Sequence, residues 1–216
     1  MKSQLVIFDC DGVLVDTERA TNEVMAANLS RYGLDISVDE CTSLFVGGTM
    51  ASAADEVRRM GYPLPQNWTD EMYTQMFARL REGVEVIKGI PEFLDQLDQA
   101  RTPYCVGSNG PMDKMEITLK PSGLWDRFAG RIYSPHVIGL EMAKPNAGLY
   151  LHAAREMGVD PQNCVVIEDS QNGAKGAQAA GMRCFGFTRD TKAEDLEAVG
   201  AIPFSDMSQL PDLLNL

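Results

Sequence analysis

Asp9 and Asp11 close the apolar run Leu5-Val6-Ile7-Phe8, and Gly12-Val13 follows at once. Such a run reads as a buried parallel strand that ends in a glycine turn. The two acids therefore fall at the carboxyl end of a central strand, where open α/β sheets place their ligands. Two carboxylates there repel each other and resist desolvation unless a cation or a proton compensates them. That requirement suggests a metal, and a metal suggests chemistry on an anion. Taken alone, the pair reads equally well as an acidic strand end that caps the next turn. Three further polar clusters change that balance: Ser108-Asn109-Gly110 after Tyr104–Gly107, Lys144 just before Pro145, and Glu168-Asp169-Ser170 after Cys164–Ile167. In a parallel sheet all carboxyl ends share one edge, so groups far apart in sequence converge.

Each residue type has a chemical reason to stand there. Asp9 is a carboxylate nucleophile able to form an aspartyl-phosphate. Attack on a dianionic phosphate needs charge cancellation, which a Mg²⁺ held by carboxylates supplies. Asp169, helped by Glu168, is the candidate opposite wall of that metal site. Asp11 is placed to protonate a leaving alcohol and then to deprotonate the attacking water. Ser108 and the backbone N–H groups after it, at a helix start, suit a phosphate oxygen. Lys144 adds a point charge that holds nucleophile and phosphoryl group together. Singly, Ser108 reads as an N-cap, Lys144 as surface, and the 168–169 acids as helix-start residues. All of them at successive strand ends, in that order, argue for a site.

The elements that must position these groups fall into two stretches. Residues 17–83 read as helical, with helices at Ala20–Tyr32, Met50–Met60 and Thr69–Arg81, the last started by Thr69 ahead of Asp70 and Glu71. From Val84 the pattern becomes βα. Helices are expected at Pro91–Ala100, Met112–Leu119, Asn146–Met157 and Ser170–Ala180. Strands are expected at Pro103–Ser108, Arg131–Tyr133, Cys164–Ile167 and Arg183–Thr188, with a last one near Ile202. That alternation gives an α/β fold whose parallel sheet is covered on both faces. Residues 1–16 and 84–216 form the core, and 17–83 an inserted lid over the strand ends. The helical glycines Gly173, Gly176 and Gly181 suit close helix–sheet packing rather than a dinucleotide fingerprint.

Composition narrows the partners. The 216 residues carry 19 basic and 31 acidic side chains, a net charge of −12. Such a surface repels phosphate backbones, so neither nucleic acid nor an anionic membrane is expected as a partner. A small phosphorylated metabolite must be attracted locally, and the chain is expected to act as a monomer or homodimer. The five cysteines are odd in number and contain no C-x-x-C, which indicates neither a zinc site nor a disulfide framework. Together with an N-terminus unlike a signal peptide, they favour the cytoplasm. His136 and His152 stand in no metal-like spacing.

Asp9-x-Asp11-Gly12-Val13, Ser108-Asn109, Lys144-Pro145 and Glu168-Asp169-Ser170 resemble the four motifs of the haloacid dehalogenase-like hydrolase superfamily, over essentially the whole chain. The helical insertion resembles the small cap of its β-phosphoglucomutase and phosphoglycolate phosphatase group. Ser108-Asn109-Gly110-Pro111 with Lys114-Met115 resembles a bacterial sugar-phosphate phosphatase branch that includes 6-phosphogluconate phosphatase. The resemblance implies a Rossmann-like core, a Mg²⁺-dependent aspartyl-phosphate mechanism at Asp9, and a cap that carries specificity. It implies Mg²⁺ ligands from Asp9, Asp169 and the Asp11 backbone carbonyl, with Glu168 as a further ligand. It also puts Ser108, Asn109 and Lys144 on the phosphate, and Gly47, Gly48 and Thr49 in the substrate loop of the cap. Arg19 and Lys114 are further candidate anion anchors. The nearest alternative is a β-phosphoglucomutase. Mutases place a histidine where Thr21 stands and an arginine after the cap-loop glycine, where none occurs before Arg58. Both departures favour water as acceptor. A metal-independent dehalogenase and a non-catalytic phospho-receiver rank lower.

Overall fold

Among the described residues, helices are the only regular elements between positions 16 and 84 of the computed structural model, which describes residues 4–45 and 50–216. They are α1 (Thr17–Ser30), α2 (Val38–Phe45), α3 (Met50–Arg59) and α4 (Trp68–Arg81). Asp16 starts α1 by accepting from the Arg19 N–H at 3.2 Å. Helix α2 was not anticipated, yet its start is spelled out: Ser37 and Glu40 form a reciprocal capping box. The Glu40 N–H donates to Ser37 Oγ at 3.2 Å, and the Ser37 N–H to Glu40 Oε2 at 2.8 Å. Helix α4 begins one residue before Thr69, because burial of the Trp68 indole draws that residue into the helix.

These helices share a core of Met25, Leu29, Cys41, Val57, Trp68 and Met72. The methionines Met25, Met72 and Met76 are thus packing residues, whereas Met60 is 43% exposed. Asn28 is among the polar groups buried with them. Asn28 Oδ1 accepts from Trp68 Nε1 at 2.8 Å, and its amide donates to Glu71 Oε1 at 3.0 Å and Gln75 Oε1 at 3.1 Å. Tyr32 closes the network by donating to Glu71 Oε2 at 3.1 Å.

By its contacts the chain divides into this unit, Asp16–Val84, and a second made of Met1–Val15 and Glu85–Leu216. The second unit holds a six-stranded sheet: β1 (Leu5–Phe8), β2 (Tyr104–Gly107), β3 (Ile132–Tyr133), β4 (Cys164–Glu168), β5 (Arg183–Phe187) and β6 (Ile202–Phe204). Their order is β3-β2-β1-β4-β5-β6, and every pair is parallel. Its helices are α5 (Ile90–Gln99), α6 (Met112–Leu119), α7 (Pro135–Ile138), α8 (Gly148–Glu156), α9 (Gln171–Ala179), α10 (Ala193–Glu197) and α11 (Leu210–Leu214). The fold is the Rossmann-like α/β sandwich.

Strand β1 lies at the centre, with Ile7 level with Cys105 on one side and Val166 on the other. Its side chains alternate between faces. Leu5 and Ile7 pack with Ala153 and Ala154 of α8 and with Ala174 and Ala177 of α9. Phe8 points the other way and meets Phe93 at 5.9 Å and Phe128 at 6.1 Å, both edge-on. Burying each such ring contributes roughly 1.5–3 kcal/mol, which fixes the height at which β1 delivers Asp9. All five cysteines are buried free thiols. No helix among the described residues is long and apolar enough to cross a membrane.

Candidate active site

The four strand-end loops are stitched to one another by side chains. Lys144, in the loop before α8, sends its ammonium to Asp9 Oδ1 at 2.5 Å and to Glu168 Oε1 at 2.6 Å. This joins the ends of β1 and β4 across 135 and 24 residues of chain. Asn109, after β2, grips the main chain of Lys144 in two places. Its Oδ1 accepts from the Lys144 N–H at 2.9 Å, and its Nδ2 donates to the Lys144 carbonyl at 3.1 Å. Ser134, after β3, donates to the Gly110 carbonyl at 2.7 Å. Lys114, in the first turn of α6, donates to Asp11 Oδ2 at 2.7 Å.

Asp169 reaches back to β1 as well. Gly12 has φ +76°, and a Cβ there would lie 1.9 Å from Asp169 Oδ2. Only glycine both adopts that backbone conformation and leaves room for the carboxylate. The structure thus brings Asp9, Asp11, Ser108, Asn109, Lys144, Glu168 and Asp169 to one edge of the sheet. Gly47, Gly48 and Thr49 lie outside the described residues. Ser108 is buried, and its Oγ accepts from the Gly110 N–H at 3.1 Å, folding the turn ahead of α6.

Glu168 differs from its expected place on a metal. Its Oε1 accepts from Lys144 and from Tyr150 Oη at 3.1 Å. Its Oε2 accepts from the Asp169 N–H, the Ser170 N–H and Ser170 Oγ at 3.0, 2.9 and 2.8 Å. Five donors exceed the roughly four lone-pair sites of a carboxylate, so this arrangement leaves Glu168 no direction for another ligand. Its chemistry is to hold Lys144. The side-chain amide of Asn109 is likewise committed to Lys144.

One lysine faces two carboxylates here, and they do not share it equally. Burial pushes Asp9 up to about 7; Glu168 and Asp11 add to the rise, and Lys144 only opposes it. Burial would raise Glu168 too, but Lys144 and the Ser170 donors outweigh it and hold Glu168 below its ordinary value. Burial would lower Lys144, yet the two acids raise it well above. Lys144 therefore stays charged and Glu168 stays ionised, while Asp9 holds a proton more tightly than an ordinary carboxylate because burial outweighs its lysine. Among the described residues, no three His, Cys, Asp or Glu side chains close into a metal-holding group.

Residues 4–181 match the haloacid dehalogenase-like hydrolase family. The chain belongs to that family. It is 30% identical over 212 residues to the 6-phosphogluconate phosphatase of Escherichia coli, covering 97% of this chain and 94% of that protein. Its fold is similar to a haloacid dehalogenase-like protein of Agrobacterium tumefaciens, with a TM-score of 0.89 and 36% identity over 99% of this chain and 98% of that one. A hydrolase of the same family from Deinococcus radiodurans, solved with bound phosphate and sodium, superposes with a TM-score of 0.88 and 30% identity, over 99% of this chain and 95% of that one.

Sequence reasoning missed two parts of this haloacid dehalogenase-like site, and the partner of a third residue. Tyr150 is fully buried, and Lys144 Nζ sits 5.2 Å from the centre of its ring. A Cβ on Gly173 of α9 would lie 1.7 Å from Glu168 Oε1, so that glycine makes room for a carboxylate. Gly176 does the same for the Tyr150 ring. The third is Lys114, a candidate anion anchor from the sequence: its stem lies beside Gly110 and its ammonium donates to Asp11.

Proposed function

We propose that this hydrolase releases phosphate from a small phosphate monoester, of the sugar or sugar-acid class, through an aspartyl-phosphate at Asp9. The observation that carries the reading is the Lys144 bridge between Asp9 and Glu168. It fixes a buried cation against the nucleophile while leaving Asp9 Oδ2 without a hydrogen bond from any described residue. The E. coli relative supports the sugar-acid class. The phosphate in the Deinococcus structure supports an anion site in this fold.

Mg²⁺ fits the residues present. Asp9 and Asp169 offer hard oxygen ligands from two loops that meet at Gly12, and the Asp11 carbonyl would be a third. Mg²⁺ is commonly held by one or two carboxylates, waters and the substrate phosphate rather than by an all-protein cage. The rise of Asp9 to about 7 marks a site short of positive charge. When bound, the ion supplies charge neutralisation for the transferring phosphoryl group. In the first half-reaction an Asp9 oxygen bonds to phosphorus, the ester P–O bond breaks, and Asp11 gives its proton to the leaving oxygen. In the second, water attacks phosphorus, Asp11 takes the proton, and Asp9 and inorganic phosphate are freed. Lys144 stays charged throughout and steadies the phosphoryl oxygens. Residues 17–83 act as the cap that selects the substrate, and the free buried thiols suit the reducing cytoplasm.

A phosphate-release screen over sugar, polyol and sugar-acid phosphates tests this, with Asp9→Asn as control. The expected result is Mg²⁺-dependent release from some of these esters and none from the variant. Conversion of β-glucose 1-phosphate to the 6-phosphate without free phosphate would assign a mutase instead.

A further inference from the structure

Asp9 and Asp11 each meet a lysine, but the two pairs are built differently. Lys144 and Asp9 are sealed, with side chains 4% and 11% exposed, while Lys114 and Asp11 are 20% and 27% exposed. Lys114 is also in the wrong place for its helix. It lies in the first turn of α6, where the macrodipole favours acids and disfavours cations. A cation kept at an unfavourable helix end, half-buried, on a partner 103 residues away, calls for a reason beyond surface pairing. Exposed pairs are worth only about 0–1 kcal/mol. Gly110 supplies a structural counterpart: a Cβ there would stand 3.4 Å from Ser108 Oγ, 3.7 Å from Asp11 Oδ2 and 3.7 Å from Lys114 Cδ. The hydroxyl, the acid and the lysine stem converge around one glycine.

Building on the phosphatase reading above, we propose that Lys114 is a positioning residue for the acid/base Asp11. It fixes the carboxylate at the strand edge. The proton balance is that of the first half-reaction: the Asp11 O–H bond breaks and the alcohol O–H bond forms. In the second half-reaction the water proton returns to Asp11.

This separates from a general structural role by leaving group. Expulsion of p-nitrophenolate needs little proton transfer, whereas expulsion of a sugar alkoxide depends on it. Lys114→Met, Lys114→Gln and Lys114→Arg are compared with wild type on p-nitrophenyl phosphate and on a sugar phosphate that wild type hydrolyses. For Met and Gln, kcat on the sugar phosphate is expected to fall about 10- to 100-fold. On the aryl ester it should fall less than about threefold, with KM for both esters within about twofold and Arg restoring most of the loss. An equal fall on both esters, or no fall, overturns the role of Lys114 and leaves the phosphatase reading standing. A wild type that hydrolyses neither ester overturns the reading itself, and this inference with it.

Discussion

Two of the polar networks buried among the described residues, one in each unit, solve opposite problems. In the helical unit, Asn28 sits at the centre with an amide and an indole as neutral partners, and its oxygen and both amide hydrogens are used. Glu71, its charged neighbour, is shared with Tyr32 and Gln75. Such a network ties α1 to α4 and is complete as it stands. In the sheet unit, Lys144 sits at the centre between two carboxylates, one of which, Asp9, stays raised by burial in spite of it. Under the proposed function, that network would receive a phosphoryl group and a divalent cation together. A network whose donors and acceptors are all satisfied stabilises; one built around a buried, raised carboxyl stores reactivity at some cost in stability.

Substitutions in the two networks should therefore differ in kind. Lys144→Met should lower phosphate release about 10²–10³-fold, the usual cost of removing a fixed charge from a developing oxyanion. It should also destabilise, because Asp9 and Glu168 lose their shared cation. Steady-state rates with a thermal melt check both. Gly173→Ala comes next. Helix propensity alone favours alanine by about 1 kcal/mol, but the new Cβ would lie 1.7 Å from Glu168 Oε1. Sterics should win, displacing Glu168 and with it Lys144, for a loss of about tenfold or more in kcat.

Asn28→Ala should do the reverse. It strands the Trp68 N–H and should cost about 1–3 kcal/mol, with kcat on p-nitrophenyl phosphate within about twofold. A large fall in kcat would break the contrast. The smallest effect is the sharpest. With metal chelated, Asp9→Asn should raise the melting temperature, because it removes a carboxylate the fold disfavours. The sign follows from Asp9 lying at about 7 in the folded chain against 3.8 when unconstrained. The folded state binds the extra proton between these values, so wild type loses stability as pH rises from about 4 to 7. The advantage of the variant should be greatest above pH 7 and vanish below about pH 4.

Much of the site was legible because it is local. An apolar run followed by an acid, a hydroxyl or an acid pair fixes a strand and its end together, and parallel topology does the rest. The Ser37–Glu40 capping box was equally local, and α2 went unread because it is short and buries only Cys41. The remainder is tertiary. Periodicity shows that Tyr150 is buried, but not that its hydroxyl meets Glu168. Asn109 and Lys144 are 35 residues apart, and only the folded loops reveal the two-point grip between them. The glycines of α9 were read as close packing against the sheet. What packs against Gly173 is a carboxylate, a distinction that no spacing rule carries.

The central claim is that Asp9 carries the phosphoryl group in transit. Rapid acid quenching during turnover of a good substrate, followed by mass spectrometry of the peptides, tests it directly. The account predicts one phosphoryl group on the peptide containing Asp9, absent from Asp9→Asn and from enzyme quenched before substrate is added. Sustained phosphate release by Asp9→Asn, or a phosphoryl group found on another residue, would contradict it.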